Sequence, residues 1–373
     1  MKIRELIKFQ NVITKQLIFP LFVLLFAISS PLSLFAQHGE ETHETTEKKF
    51  QPGPFIFDHI ADSYEWHILT FGETHVSVPL PIILYSESKG FHMFMSSEFH
   101  HGHDSYNGFK IELDEASINK GKIVELLDNG EFEKPLVNIS ITKNVVALFF
   151  SVSLMLFIFI SVARAYKKNE GTAPKGMQSF FEPLILFVRD DIAKASIQNK
   201  PEKYMPYLLS IFFFIFINNL LGLIPILPGG ANLTGNITIT LALAVFTFVI
   251  TTVKANKTYW THIVNAPGVP WWLKFPIPLM PIVEIVGMFT KPFVLMVRLF
   301  ANITAGHIIA LGFYSLIFIF GEKSIFAGYG ISVVSIAFTI FMTILELLVA
   351  FIQAYVFTLL SALYFGMATE EHH

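Results

Sequence analysis

Residues 276–320, PIPLMPIVEIVGMFTKPFVLMVRLFANITAGHIIALGFYSLIFIF, and residues 325–368, IFAGYGISVVSIAFTIFMTILELLVAFIQAYVFTLLSALYFGMA, decide the fold. A helix crosses a hydrocarbon core of about 30 Å with about 20 apolar residues, and each of these stretches is more than twice that long. Each must tilt steeply, run partly along the membrane plane, or break. Pro276, Pro278, Pro281 and Pro292 offer break points in the first, because proline lacks the N–H of a helical hydrogen bond. The glycines between Gly321 and Gly330 mark a reversal, so the two stretches read as a long, tilted helical hairpin in lipid.

Ionisable groups within such a hairpin cost at least about 2.5–3.5 kcal/mol each on insertion scales, which makes each a candidate for function. Here they are Glu284, Lys291, Arg298, His307 and Glu346, accompanied by the amides Asn302 and Gln353. Lys291 has a long stem and is expected to snorkel to the interface. Arg298 is flanked by Phe293–Val297 and Leu299–Ala301, and a guanidinium cannot lose its proton, so it is a fixed positive charge and no proton carrier.

Facing residues of an antiparallel hairpin are equidistant from its turn. The pairs Arg298/Gln353 and His307/Glu346 both centre near residue 325, inside the link chosen from its glycines, so Gln353 is expected opposite Arg298 and Glu346 opposite His307. Asn302 shares the face of Arg298, being one turn further on, whereas His307 lies ~14 Å away and half a turn round. Glu284 lies ~21 Å from Arg298 in the other direction. A titratable His/Glu pair on one side and a carboxylate on the other, with a permanent charge between, suits two offset half-channels. A proton could then pass only on a moving group supplied by a partner.

The rest of the 373-residue chain agrees with a polytopic all-α membrane protein: 53% of residues are hydrophobic and 15% charged. The other apolar stretches are Val145–Ala163, Tyr207–Leu227 and Asn236–Val253, giving about five membrane segments. Arg164, Lys167, Lys168, Lys175, Arg189, Lys194, Lys200 and Lys203 crowd one loop, and the link 228–235 has no Lys or Arg. Basic loops face the cytoplasm, which predicts an N-terminal region outside and a C-terminus inside. Residues 177–196 mix Phe and Leu with charges, as an interfacial helix does. Residues 1–36 read as a signal peptide, with an uncleaved anchor as the alternative. Residues 37–142 read as a small extracytoplasmic region containing strand, of unread function. Its cluster His100, His101, His103 and Asp104 has no metal-site spacing and reads as a solvated loop. There is no cysteine, which excludes disulfides and thiolate chemistry, and a net charge of -3 gives no argument for nucleic acid.

The segment Lys291-Pro-Phe-Val-Leu-Met-Val-Arg-Leu-Phe-Ala-Asn-Ile-Thr-Ala-Gly-His307 resembles the signature of the a subunit of F-type ATP synthases. Glu346–Gln353, Asn218-Asn-Leu-Leu-Gly-Leu-Ile-Pro225 and the tail Met367–His372 are also similar to that family, and the resemblance covers residues 143–373. It implies that Arg298 is the essential arginine facing the c-ring carboxylate, that His307 and Glu346 form the outer half-channel pair, and that Glu284 is an inner acid. Asn302 and Gln353 would help to orient the arginine and the channel. Some relatives carry the acid first and the imidazole second, so this chain looks swapped. Ala301 stands where many have glycine, and the region before residue 143 lies outside the family pattern.

The implied function is a proton-conducting stator subunit in a bacterial inner membrane, partnered by the c-ring, the b subunits and the other synthase subunits, with no resident cofactor or metal. No G-x-x-x-x-G-K-[ST] loop occurs, so nucleotide chemistry would lie on other subunits. A secondary transporter would show internal repeats with matching broken helices, and none is visible. A metal-binding receptor would place its function in residues 37–140 instead.

Overall fold

The computed structural model describes residues 50–370 apart from 72–73, 103, 115–116, 118, 128–131, 170, 225–229 and 265–278. The expected signal peptide and the residues Pro276, Pro278 and His103 lie outside the described residues. The chain divides into two compact units, one formed by Gly53–Phe150 with Ile224–Ala231, the other by the remaining residues.

The first unit begins with helix α1 (Pro52–Ile60) and continues through strands β1 (Glu65–Phe71), β2 (Thr74–Pro79), β3 (Pro81–Ser86), β4 (Gly90–Met95), β5 (Phe109–Ile111), β6 (Ile123–Leu126), β7 (Phe132–Glu133) and β8 (Val137–Asn138). β1 and β2 pair alone, and two three-stranded sheets run in the orders β4-β3-β8 and β5-β6-β7. Alternation along β3 turns Ile82 and Leu84 inward, where they pack with Phe99, Phe109 and Ile123 into the core of this unit. His100 and His101 have positive φ values of 43° and 60°; His100 pairs with Asp104 at 2.9 Å and His101 with Glu65 at 2.8 Å, so the two rings serve different carboxylates. His100 is 72% exposed, in keeping with a solvated loop.

Helix α2 (Lys143–Lys168) leaves this unit, and α3 (Met177–Phe187) follows, passing into a π-helical turn at Val188–Lys194. The wide turn carries Asp190 between Arg189 at 2.6 Å and Lys194 at 2.7 Å, and these cations, Arg189 foremost, hold its carboxyl well below the usual carboxylate range. Then come α4 (Met205–Gly222), α5 (Ile237–Lys254), α6 (Lys257–Val264), α7 (Leu279–Lys323) and α8 (Ile325–Thr369). Five of these helices, α2, α4, α5, α7 and α8, are long and apolar enough to cross a membrane.

α4 is apolar all round and largely buried, as the central helix of a bundle must be. It packs on α8, while α5 packs on α7. Phe212 touches Phe187, Phe213, Phe216 and Phe351, a ring cluster that knits α3, α4 and α8. At the far end of α8, Gly366 lies so close to the backbone of Ser196 that an added Cβ would stand 2.1 Å from its carbonyl oxygen.

The hairpin differs from its sequence reading in two respects. Pro281 and Pro292 do not break α7, which runs unbroken for 45 residues. Pro281 sits in the first turn, where its missing N–H has no intrahelical partner to lose, and Pro292 is absorbed in a helix held by packing on both neighbours. The reversal is also far tighter than 321–330: only Ser324, in extended backbone, separates the helices, and Gly328 and Gly330 belong to α8. Gly328 is needed for close approach, since a Cβ there would lie 2.9 Å from Cα of Gly321.

Candidate functional site

The register of the hairpin follows from its contacts. Phe313 stacks on Phe338 with ring centroids 5.1 Å apart, and the Lys291 ammonium lies 5.6 Å from the Tyr364 ring centroid. Glu346 lies against Gly306, where a Cβ would stand 2.7 Å from Oε1. All three pairs are nearly symmetric about the turn at Ser324, which places Glu346 beside the residue that precedes His307. Lys291 is half-buried, with its ammonium beside an aromatic ring.

Two cavities follow from this register. The first is lined by Asn218, Asn219, Asn302, Gly306, His307 and Glu346, with Asn232 and Thr234 from the link before α5, and its internal volume of about 20 Å³ suffices for one or two waters. Leu223, Ile303, Val349 and Ala350 make its lining mostly apolar, and the polar groups that enter it are incompletely paired. Asn219 accepts from the Thr234 hydroxyl at 2.6 Å and donates to Ala350 O at 3.3 Å. His307 sets Nδ1 3.2 Å from Ile303 O and Nε2 3.4 Å from Gly222 O. Glu346 Oε1 and Asn218 Oδ1 are buried without any hydrogen-bond partner. Buried acceptors are normally paired, so these two orphans beside one water-sized space are groups still open to a partner among the described residues.

The second cavity, of equal volume, is lined by Thr247, Thr251 and Thr252 of α5, Tyr259 of α6, Met288, Lys291, Pro292 and Leu295 of α7, and Tyr364 of α8. Glu284 lies half-buried near Tyr259, whose hydroxyl is held above its ordinary pKa by burial first and by the Glu284 charge second.

Arg298 falls between them. Along α7 the second cavity ends at Leu295 and the first begins at Asn302, a gap of ~10 Å at 1.5 Å per residue. The inward side of that gap is closed by Leu295, Met296 and Leu299, all buried. Its outward side carries Arg298, which is exposed and has no hydrogen bond or ion pair among the described residues. Around it the hairpin shows lipid-type side chains: Phe293, Val294, Val297, Leu347 and Leu348 are all exposed.

The sequence-based site is therefore brought together in part. Asn302, His307 and Glu346 line one cavity, and Arg298 and Asn302 share an exposed face as expected. Glu284 belongs to the opposite side of Arg298. Gln353 is buried and no hydrogen bond joins it to Arg298. The polar wall made by Asn219, Asn232 and Thr234 was not foreseen as a site; the one signal for it was the pair Asn218-Asn219 inside an apolar run.

Comparison with known proteins places the chain in a family. The family model described as ATP synthase A chain matches residues 145–366, and a second, described only as a domain of unknown function, matches residues 55–144. The chain is 44% identical over 243 residues to ATP synthase subunit a of Chloroherpeton thalassium, covering 63% of this chain and 69% of that one. It is 47% identical over 238 residues to ATP synthase subunit a 2 of Chlorobaculum tepidum, covering 62% and 64%, and 47% identical over 239 residues to the subunit a 2 of Chlorobium luteolum, covering 62% and 66%. A match over this length of the chain, on the helices that build the two cavities, settles the family: this multi-pass membrane protein belongs to the ATP synthase A chain family.

Proposed function

We propose that this chain, as the a subunit of an F-type ATP synthase, passes protons along two blind paths that meet only at Arg298. The observation that supports this is the pair of water-sized cavities on either side of Arg298, each apolar over most of its lining but entered by a few polar side chains, with Leu295, Met296 and Leu299 buried between them. His307 and Glu346 exchange protons with the first cavity, aided by Asn302 and the orphan oxygen of Asn218. Glu284 serves the second path beside Tyr259, and Gln353 supports the helix contact behind the arginine.

Arg298 itself relays no proton, because its guanidinium stays protonated. Its exposed, unpaired guanidinium is available to a carboxylate on a neighbouring c-ring, which it holds ionised by opposite charge. Protonation from the Glu346/His307 side neutralises that carboxyl and lets it move into lipid, and on its return the arginine favours release toward Glu284. Moving one charge through 100 mV yields about 2.3 kcal/mol, so several such transfers are needed for each ATP. The nucleotide chemistry belongs to other subunits of the complex. In this reading the N-terminal unit lies outside the cytoplasm, the C-terminus inside, and the b subunits hold the chain still while the ring turns.

The test is Arg298→Ala in the assembled complex in sealed vesicles. Removing a preorganised charge from a low-dielectric site should lower proton-driven ATP synthesis by about a hundredfold or more. Synthesis at the unsubstituted rate refutes the role.

A further inference from the structure

The sheet β4-β3-β8 has one face in the core and one face uncovered among the described residues. Its pairing places Tyr85 opposite both Phe91 and Val137, Ile83 opposite Met93, and Pro81 opposite Met95. Beyond β8 the ladder continues, with the Ile139 amide donating to Ile83 O at 2.9 Å and the Ile141 amide to Pro81 O at 3.0 Å. Residues directly opposite one another point to the same face, so three rows form: Val137, Tyr85, Phe91; Ile139, Ile83, Met93; and Ile141, Pro81, Met95. None of these side chains is charged. Phe91 and Met93 are 65% and 66% exposed, and Tyr85, Met95, Val137 and Ile139 are also exposed. The intervening residues Asn138, Ser140 and Thr142 carry the polar groups of that strand on the other side.

What covers this face is indicated by where its third row ends. Ile141 is two residues before Lys143, the first residue of α2, so at most ~7 Å of chain separates the apolar rows from a membrane-spanning helix. The junction is held as well as short. The Lys143 amide donates to Ser63 O at 2.8 Å, the Asn144 amide to Asp62 Oδ1 at 3.1 Å, and the Lys143 ammonium to Ala61 O at 2.9 Å and His59 O at 3.3 Å. The first two turns of α2 belong to the same compact unit as the sheet. An uncharged Phe, Met, Ile and Val surface bearing one tyrosine, clamped to the start of a membrane span, has the composition of a surface that sits at the boundary between headgroups and acyl chains.

We propose that this sheet face rests on lipid, in the bilayer leaflet from which α2 departs, making the N-terminal unit an interfacial membrane-binding module. The inference does not depend on the proton path, nor on which side of the membrane the unit occupies.

The absence of native cysteine makes the test direct. Phe91→Cys, Met93→Cys and, as a control elsewhere on the unit, Lys134→Cys are each labelled with a small polarity-sensitive fluorophore in the full chain within the assembled complex, reconstituted in phosphatidylcholine vesicles. Lipids brominated on their acyl chains should remove about half or more of the signal at positions 91 and 93 and little at 134, while aqueous iodide does the reverse. Iodide quenching at 91 and 93 equal to that at 134 shows a wet surface and overturns the proposal. Quenching by neither agent at both positions shows a protein neighbour, whether a second copy or another subunit, and overturns it equally.

Discussion

Each unit keeps a carboxylate oxygen away from solvent, and the two carboxylates are treated in opposite ways. Glu125, on β6, is 3% exposed and fully engaged: the hydroxyls of Ser86 and Ser88 donate to its two oxygens and the Lys89 ammonium stands 3.6 Å away. Burial by itself would raise its pKa, but these donors outweigh burial and hold the carboxyl below the ordinary value. Glu346, on α8, keeps Oε1 buried without a partner, at a cavity it shares with His307. In the proposed function the satisfied acid is part of the frame, and the half-buried one with an unpaired oxygen beside a water-sized space is the group that exchanges a proton.

That contrast predicts a double dissociation. Glu346→Gln should reduce proton-driven ATP synthesis by about a hundredfold, the range of a lost proton-transfer group, while the complex still assembles and α7 and α8 keep their amide protection. Glu125→Gln should leave synthesis per assembled complex essentially unchanged. Equal activity loss in both variants, measured in the same vesicles, would erase the distinction.

Next in size is Gly366→Ala, which tests whether the helical unit depends on close packing where it lacks polar ties. The new Cβ would meet the Ser196 carbonyl at 2.1 Å, and backbone cannot swing aside as a side chain can. Overpacking of this kind costs about 1–3 kcal/mol, visible as a lower midpoint of thermal unfolding of the purified complex. An unchanged midpoint would mean that the contact yields freely.

Glu125→Gln then acts on stability. Loss of its charge-assisted bonds should weaken the sheet unit by about 1–3 kcal/mol at neutral pH, read as faster hydrogen exchange of the β3 and β6 amides. Because the folded pKa of Glu125 is depressed, its contribution is present above the unfolded carboxyl pKa and is lost as pH falls through the lower, folded value. The difference between variant and parent should therefore shrink on acidification. A difference that grows instead would reverse the assignment.

The smallest effect is expected for Tyr207→Phe. Its hydroxyl lies 2.7 Å from Thr247 Oγ1, but that hydroxyl retains Leu243 O at 3.2 Å and Ser361 at 3.3 Å, so about 0.5–1.5 kcal/mol is lost. A larger cost would show that polar ties matter more in the helical unit than this contrast allows.

The helical unit was more legible in the sequence for the same reason that its acid is exceptional. In hydrocarbon a polar residue is rare, so His307 and Glu346 stood out, and their symmetry about the turn gave a register that Gly306 against Glu346 and Phe313 on Phe338 now display. The boundaries of α2, α5, α7 and α8 moved by a few residues only. Proline was misleading in α7, because local propensity was overridden by packing along the whole helix. Asn219 and Thr234 escaped notice because their contact joins a helix to a distant link. In the sheet unit polar residues are common and uninformative. The sequence reads there only as containing strand: the pairing of β8 with β3 depends on contacts between remote segments, and the apolar face appears only once the strands are side by side.

The central claim is that two wet paths end on opposite sides of Arg298. It can be measured with single cysteines at Asn302 and at Thr251, challenged in sealed vesicles of the assembled complex by a membrane-impermeant thiol reagent added to one side or the other. Position 302 should react from one side only and position 251 from the opposite side only. Reaction of either position from both sides, or of both positions from the same side, would contradict the account.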